Sequence, residues 1–170
     1  MRTVAHLLVF SLALSCSARA ADDHDQVERQ TLDAALLLAG QSVARLPIVL
    51  ASVTPDTASP GVLAWTTVGR DGNSERIFVY TGSGTFRCAR PSNGNYQCLL
   101  KLASVIVHEA WHFKHGGNEA GAYDAQIAFL MGNQGALEQI ADVRRSRERA
   151  VAAQRKAVDA ARKRSPDQPG

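Results

Sequence analysis

The chain reads as an α+β protein with a small antiparallel sheet, a buried helix, a second helix behind it and a long exposed helix at the C-terminus. Three observations predict this. Short β-branched and aromatic runs, separated by turn residues, fill the stretch between Pro47 and Thr81. The run from Leu99 to Phe113 is apolar, has few breakers and is too long for a strand. After Ala136 the chain is rich in Ala, Arg, Gln and Glu and poor in large apolar residues, as an exposed helix would be.

Residues 1–20 are set apart as an export signal. Arg2 supplies a positive start, Leu7 to Leu14 an apolar core, and Ala18-Arg19-Ala20 a small-x-small cleavage site. An alternative is a lipoprotein acylated at Cys16, for which Ala13-Leu14-Ser15 is a poor lipobox. No later segment offers the roughly 18 uninterrupted apolar residues of a membrane span. The expectation is an exported protein, periplasmic or secreted, with residues 21–133 as one folded domain and 134–170 as a C-terminal helix and tail.

From Asp25 to Ala44, Val27, Leu32, Ala35, Leu36 and Leu38 recur at helical spacing, and Gly40 is a natural interruption. Pro47–Val53, Val62–Val68 and Arg76–Thr81 read as strands. The turn residues Arg70-Asp71-Gly72-Asn73-Ser74 join the last two, so an antiparallel meander is expected.

Beyond the leader, the cysteines are Cys88 and Cys98, and export makes a disulfide between them the default. Asn93-Gly94 midway suggests a stapled hairpin, in which so short a loop contributes roughly 2–3 kcal/mol. The alternative, thiols as metal ligands, lacks a CxxC-like spacing.

His115-Gly116-Gly117 ends the apolar helix, Asn118 is a good N-cap for a helix from Glu119 to Met131, and Gly132-Asn133-Gln134-Gly135 closes that one. The last helix runs to about Arg164, with a frayed end at residues 165–170. Without Arg2 and Arg19 the chain carries 17 basic against 16 acidic residues, or +1. Its basic cluster, from Arg144 to Arg164, lacks the aromatic or amide readers of a nucleic-acid surface and reads as a solvated helix face.

The chemistry concentrates at His108-Glu109-Ala110-Trp111-His112. Residues four apart share a helix face, so His108 and His112 can direct ring nitrogens at one ion, with Glu109 placed to take a proton from a water there. A catalytic zinc needs a third protein ligand and an open position. His115 stands about 10 Å of helix rise from His108, too far for one regular helix to bring both to an ion. Glu119, in the opening turn of a helix that doubles back, is better placed, and Ala120, Gly121 and Ala122 are small enough for close approach of the two backbones.

His108-Glu109-Ala110-Trp111-His112 followed by Asn118-Glu119 resembles the zincin metallopeptidases, and more narrowly the gluzincins, whose third ligand is a glutamate on the helix after the motif helix. The resemblance implies a zincin-like minidomain with His108, His112 and Glu119 on Zn2+ and Glu109 as general base. It also implies that a strand such as Ile77 to Thr81 borders the cleft and pairs with an extended substrate. The gap from His112 to Glu119 is shorter than in thermolysin-like enzymes. Tyr123 stands where an aspartate often follows, with Asp124 one place later.

Tyr123, four residues after Glu119 and on its face, is the candidate oxyanion donor, with His115 as the alternative. Otherwise His115 is a solvated helix-end residue. Asp124 is either a partner to a ligand or surface charge, and Gln126 and Trp111 read as packing residues. The expected function is a zinc metallopeptidase acting on a peptide or protein. The competing readings are a non-catalytic zinc-stabilised module and an envelope interaction protein working through the C-terminal helix.

Overall fold

A computed structural model describes residues 23–58 and 61–164. The expected export signal and the frayed terminus at 165–170 lie outside the described residues. Among the described residues, six α-helices, a short 3-10 turn and a three-stranded sheet make an α+β fold. Helix α1 spans residues 23–39, and α2 spans Gln41–Ala44. The expected break falls at Gly40, whose φ of 95° suits glycine and ends the first helix there. Leu32, Ala35 and Val43 of this pair enter the main core.

The strands are β1 (Ile48–Ala51), β2 (Ala64–Val68) and β3 (Ser74–Tyr80), in the order β1-β3-β2. β2 and β3 form the expected antiparallel hairpin. Asp71 closes the turn by accepting from the backbone N–H of Asn73 at 3.1 Å, and Gly72 takes φ 80°. β1, however, pairs parallel to β3, with Ile48 opposite Ile77, so the sheet is mixed and the meander is corrected. The physical reason is burial. Ile77 and Val79 of β3 are fully buried, which makes β3 the central strand with both edges taken, and the long connection after Ala51 carries β2 to its far side.

Helix α3 (Gly84–Ala89) is capped by Ser83, whose side chain accepts from Phe86 N at 3.0 Å. A 3-10 turn follows at Pro91–Asn93 and leads through Gly94 (φ 58°) to α4, Tyr96–His115. The disulfide Cys88–Cys98 forms, with Cα atoms 5.7 Å apart. It joins the last turn of α3 to the first turn of α4, so the expected stapled hairpin is instead a stapled helix corner. Two side-chain caps, Ser83 and Asn95, start helices on either side of the turn, and Phe86 and Ala89 bury one face of the first.

α4 is the axis of the molecule. Leu102 and Ile106 pack with Ile77, Val79 and Phe86, and Leu100 packs on its other side with Leu130 and Ile140. At roughly 1.5–3 kcal/mol for each fully buried large apolar side chain, this anchoring holds the helix rigidly under the sheet. α5 (Glu119–Gly132) is capped by Asn118 as expected and runs back along α4. The approach is close because Gly121 lies against the Trp111 indole, where a Cβ would collide with the ring, and Ala122 is fully buried.

α6 (Leu137–Arg164) begins as part of the body and ends outside it. Ile140 is buried, Gln97 binds Ala136 N and the Gln139 amide, and Arg147 holds Asp124 of α5 with two bonds at 2.6 and 3.0 Å. From Ala152 to Ala161 every residue is exposed. No helix among the described residues is long and apolar enough to cross a membrane.

Candidate metal centre

Three side chains converge where α4 ends and α5 begins. His108 Nε2 lies 3.1 Å from His112 Nε2, and Glu119 reaches both rings, with Oε2 3.6 Å from His108 Nε2 and Oε1 3.4 Å from His112 Nε2. The one-turn spacing of the histidines on a buried helix sets the first distance. The second and third follow from the chain reversal at Gly116-Gly117 and the Asn118 cap, which begin α5 with Glu119 facing back. The three residues form a group able to hold a metal ion.

The donor set fits zinc. A tetrahedral ion with bonds of about 2.0–2.1 Å spaces its ligand atoms by roughly 3.3–3.4 Å. The two imidazole nitrogens lie 3.1 Å apart, each is reached by one Glu119 oxygen at 3.4–3.6 Å, and one atom from each of the three residues falls within 4.8 Å of the others. Both rings also present usable lone pairs. His112 Nδ1 lies 2.8 Å from the Gly116 carbonyl, which can only accept, so the ring's proton belongs on Nδ1 and Nε2 is free for a ligand. Gly116 adopts φ 77°, the left-handed region that suits glycine, to place that carbonyl. His108 is buried, and this burial, reinforced by the neighbouring His112, pushes its pKa down to about 4, partly opposed by the amide of Gln126. It is therefore neutral near pH 7, as a metal ligand must be.

Glu109 lies beside the group on α4. Its Oε2 accepts from the Thr66 hydroxyl of β2 at 2.8 Å. Burial raises the Glu109 pKa, an effect opposed by the Thr66 bond and by His112 and assisted by Glu119. The carboxylate is thus aimed and made more basic than an exposed one. His108, Glu109, His112 and Glu119 line a cleft of about 330 Å³ whose opposite wall is Thr66 and Val68 of β2 with Ser74 of β3. The strand at the cleft is therefore β2, and the expectation for Ile77 to Thr81 is corrected. β3 is central and has no free edge, whereas β2 pairs on one side only among the described residues.

Tyr123 packs its ring edge-on against His108, with centroids 4.5 Å apart. It lines an adjoining cavity that shares His108 and Glu109 with the cleft, and burial raises its pKa, so the phenol keeps its proton. His115 lies apart from the ligand group, exposed and tilted against Trp111 at 4.8 Å. Asp124 is bound to Arg147 and serves as a tie between α5 and α6. Trp111 packs on Gly121 as expected.

Three partners of the site were not foreseen: Thr66, the Gly116 carbonyl, and the buried pair formed by Gln126 and Ser104, whose polar atoms meet at 3.1 Å. Only the last left a trace in the sequence, as polar residues set in otherwise apolar helix faces. Comparisons with protein-family models, curated proteins and solved structures give no match to this chain.

Proposed function

We propose that the chain is a zinc-dependent metallopeptidase, held to one ion by His108, His112 and Glu119 and using Glu109 as general base. One observation carries the reading. The Glu119 carboxylate, from a separate helix, closes on the two histidines while the half-buried, hydrogen-bonded carboxylate of Glu109 stands next to them at the wall of an open cleft. A structural metal site has no need of that carboxylate and usually closes its fourth position with protein.

Zinc in this position supplies Lewis acidity toward a carbonyl and a water that ionises near neutral pH. The chain's own groups do the rest. Glu109, aimed by Thr66, accepts the proton and returns it to the leaving amine. Tyr123 retains its hydroxyl proton and is the candidate donor to the developing oxyanion. The single-sided pairing of β2 among the described residues leaves a strand edge beside the cleft for an extended peptide. The disulfide is compatible with an exported protein.

The test is zinc stoichiometry and hydrolysis of a generic peptide library by wild type, His112→Ala and Glu109→Gln. One zinc per chain is expected in wild type and Glu109→Gln, none in His112→Ala, and hydrolysis only in wild type. Full metal retention by His112→Ala would sink the proposal.

A further inference from the structure

The two ligand histidines are not equally served. His112 has the Gly116 carbonyl on Nδ1 at 2.8 Å, whereas His108 Nδ1 is buried with no hydrogen-bond partner among the described residues. An imidazole that ligates through Nε2 carries its proton on Nδ1, and a buried N–H without an acceptor is penalised. Something on the inner side of the ring must take that proton's hydrogen bond.

The neighbouring polar groups narrow the choice. Both carboxylate oxygens of Asp124 are engaged by Arg147, and that of Glu109 is held by Thr66. Tyr123 meets the ring in a T-shaped aromatic contact, not through a hydrogen bond of its hydroxyl. Gln126 remains. It is buried, borders the same cavity as His108, and its Nε2 donates to Ser104 Oγ at 3.1 Å. Ser104 sits one helical turn before His108 and gives its only proton to the Lys101 carbonyl at 2.7 Å. The serine can therefore only accept from the amide. This fixes the amide's orientation, with Nε2 on Ser104 and Oε1 left as a free acceptor.

We propose that Gln126 is a positioning residue for the metal centre, its Oε1 accepting from His108 Nδ1–H and so holding the ring with Nε2 toward the ion. The relay runs from the Lys101 carbonyl through Ser104 and Gln126 to His108. It explains why two polar side chains occupy the packed interface of α4 and α5. The inference rests on the zinc reading above.

The test compares the zinc affinity of the full chain, by chelator competition, for wild type, Gln126→Leu, Gln126→Met and Gln126→Glu, with metal-free melting to verify folding. The two apolar variants should bind zinc about 10–100-fold more weakly, and the glutamate, which keeps an acceptor, should stay within a few-fold of wild type. In the unaltered zinc-loaded protein, long-range 1H–15N spectra should show His108 protonated at Nδ1 with slow exchange. Wild-type affinity in a folded apolar variant, or a rapidly exchanging Nδ1 proton in the unaltered protein, overturns the role of Gln126 alone. Absence of zinc binding by wild type overturns the metal reading, and this inference with it.

Discussion

The hydroxyl of Thr66 donates to Glu109 Oε2 at 2.8 Å across 43 positions of sequence, joining an edge strand to the carboxylate beside the two histidines. Thr66→Val keeps the shape and removes the donor. Hydrogen bonds to charged groups are worth about 1.5–3 kcal/mol, so peptide hydrolysis should fall by roughly tenfold to a hundredfold. The pH profile should also move. The bond lowers the Glu109 pKa against the raising effect of burial, and the base works only when ionised. Its loss shifts the acid limb of kcat/KM to higher pH. Thr66→Ser should restore both, and an unmoved limb in Thr66→Val would show that this contact does not tune the base.

In the metal-free chain, His108 dictates a pH dependence of stability. Its folded pKa is about 4 against 6.5 for an unperturbed imidazole, because burial and His112 disfavour the cation. Above pH 6.5 the ring is neutral in both states and contributes no difference. Between 6.5 and 4 only the unfolded chain binds the proton, so stability falls as pH falls, reaching a loss on the order of 3 kcal/mol. Urea unfolding of chelator-treated protein across this window should show that loss, and His108→Gln should flatten it. Equal slopes in the two proteins would place the titration elsewhere.

The disulfide is expected to act on stability and not on the metal. Cys98 lies in the first turn of α4, ten residues before His108, and ties it to α3. Replacing both cysteines by serine should lower stability by roughly 2–3 kcal/mol through loop entropy while leaving zinc stoichiometry unchanged. Calorimetry beside metal analysis separates the two effects. Loss of zinc in the folded double variant would contradict the separation.

What could be read from the sequence was what is local along the chain. His108 and His112 are bound to one face by helical spacing, and Glu119 follows within a short reversal that Gly116, Gly117 and Asn118 announce. The Gly40 break and the extent of the last helix are local in the same sense. The parallel pairing of β1 with β3 was not legible, because strand order depends on which strand is buried on both sides and not on turn residues. Thr66 was hidden for a similar reason. A threonine in an alternating strand carries no mark of which helix lies across from it. The hairpin expected between Cys88 and Cys98 failed because Asn93-Gly94 fits a helix-to-helix corner as well as a two-residue β-turn.

Gly121 tests whether the approach of α5 to α4 is what completes the centre. The Trp111 indole occupies the space of a Cβ at this position, so even Gly121→Ala forces a shift of the ring or of the helix, and Gly121→Val forces more. Glu119 lies two residues earlier on α5, whereas His108 and His112 belong to α4, which remains anchored by Leu102 and Ile106. Displacing α5 should therefore withdraw the carboxylate and leave the histidine pair in place. The expected result is zinc affinity that falls from Gly121 to Ala to Val by a larger factor than stability does, with no loss of helix content. Trp111→Leu should recover part of the affinity in the Gly121→Ala background by making room for the methyl group. If Gly121→Val binds zinc as wild type does, close packing at this point is not what brings Glu119 to the histidines.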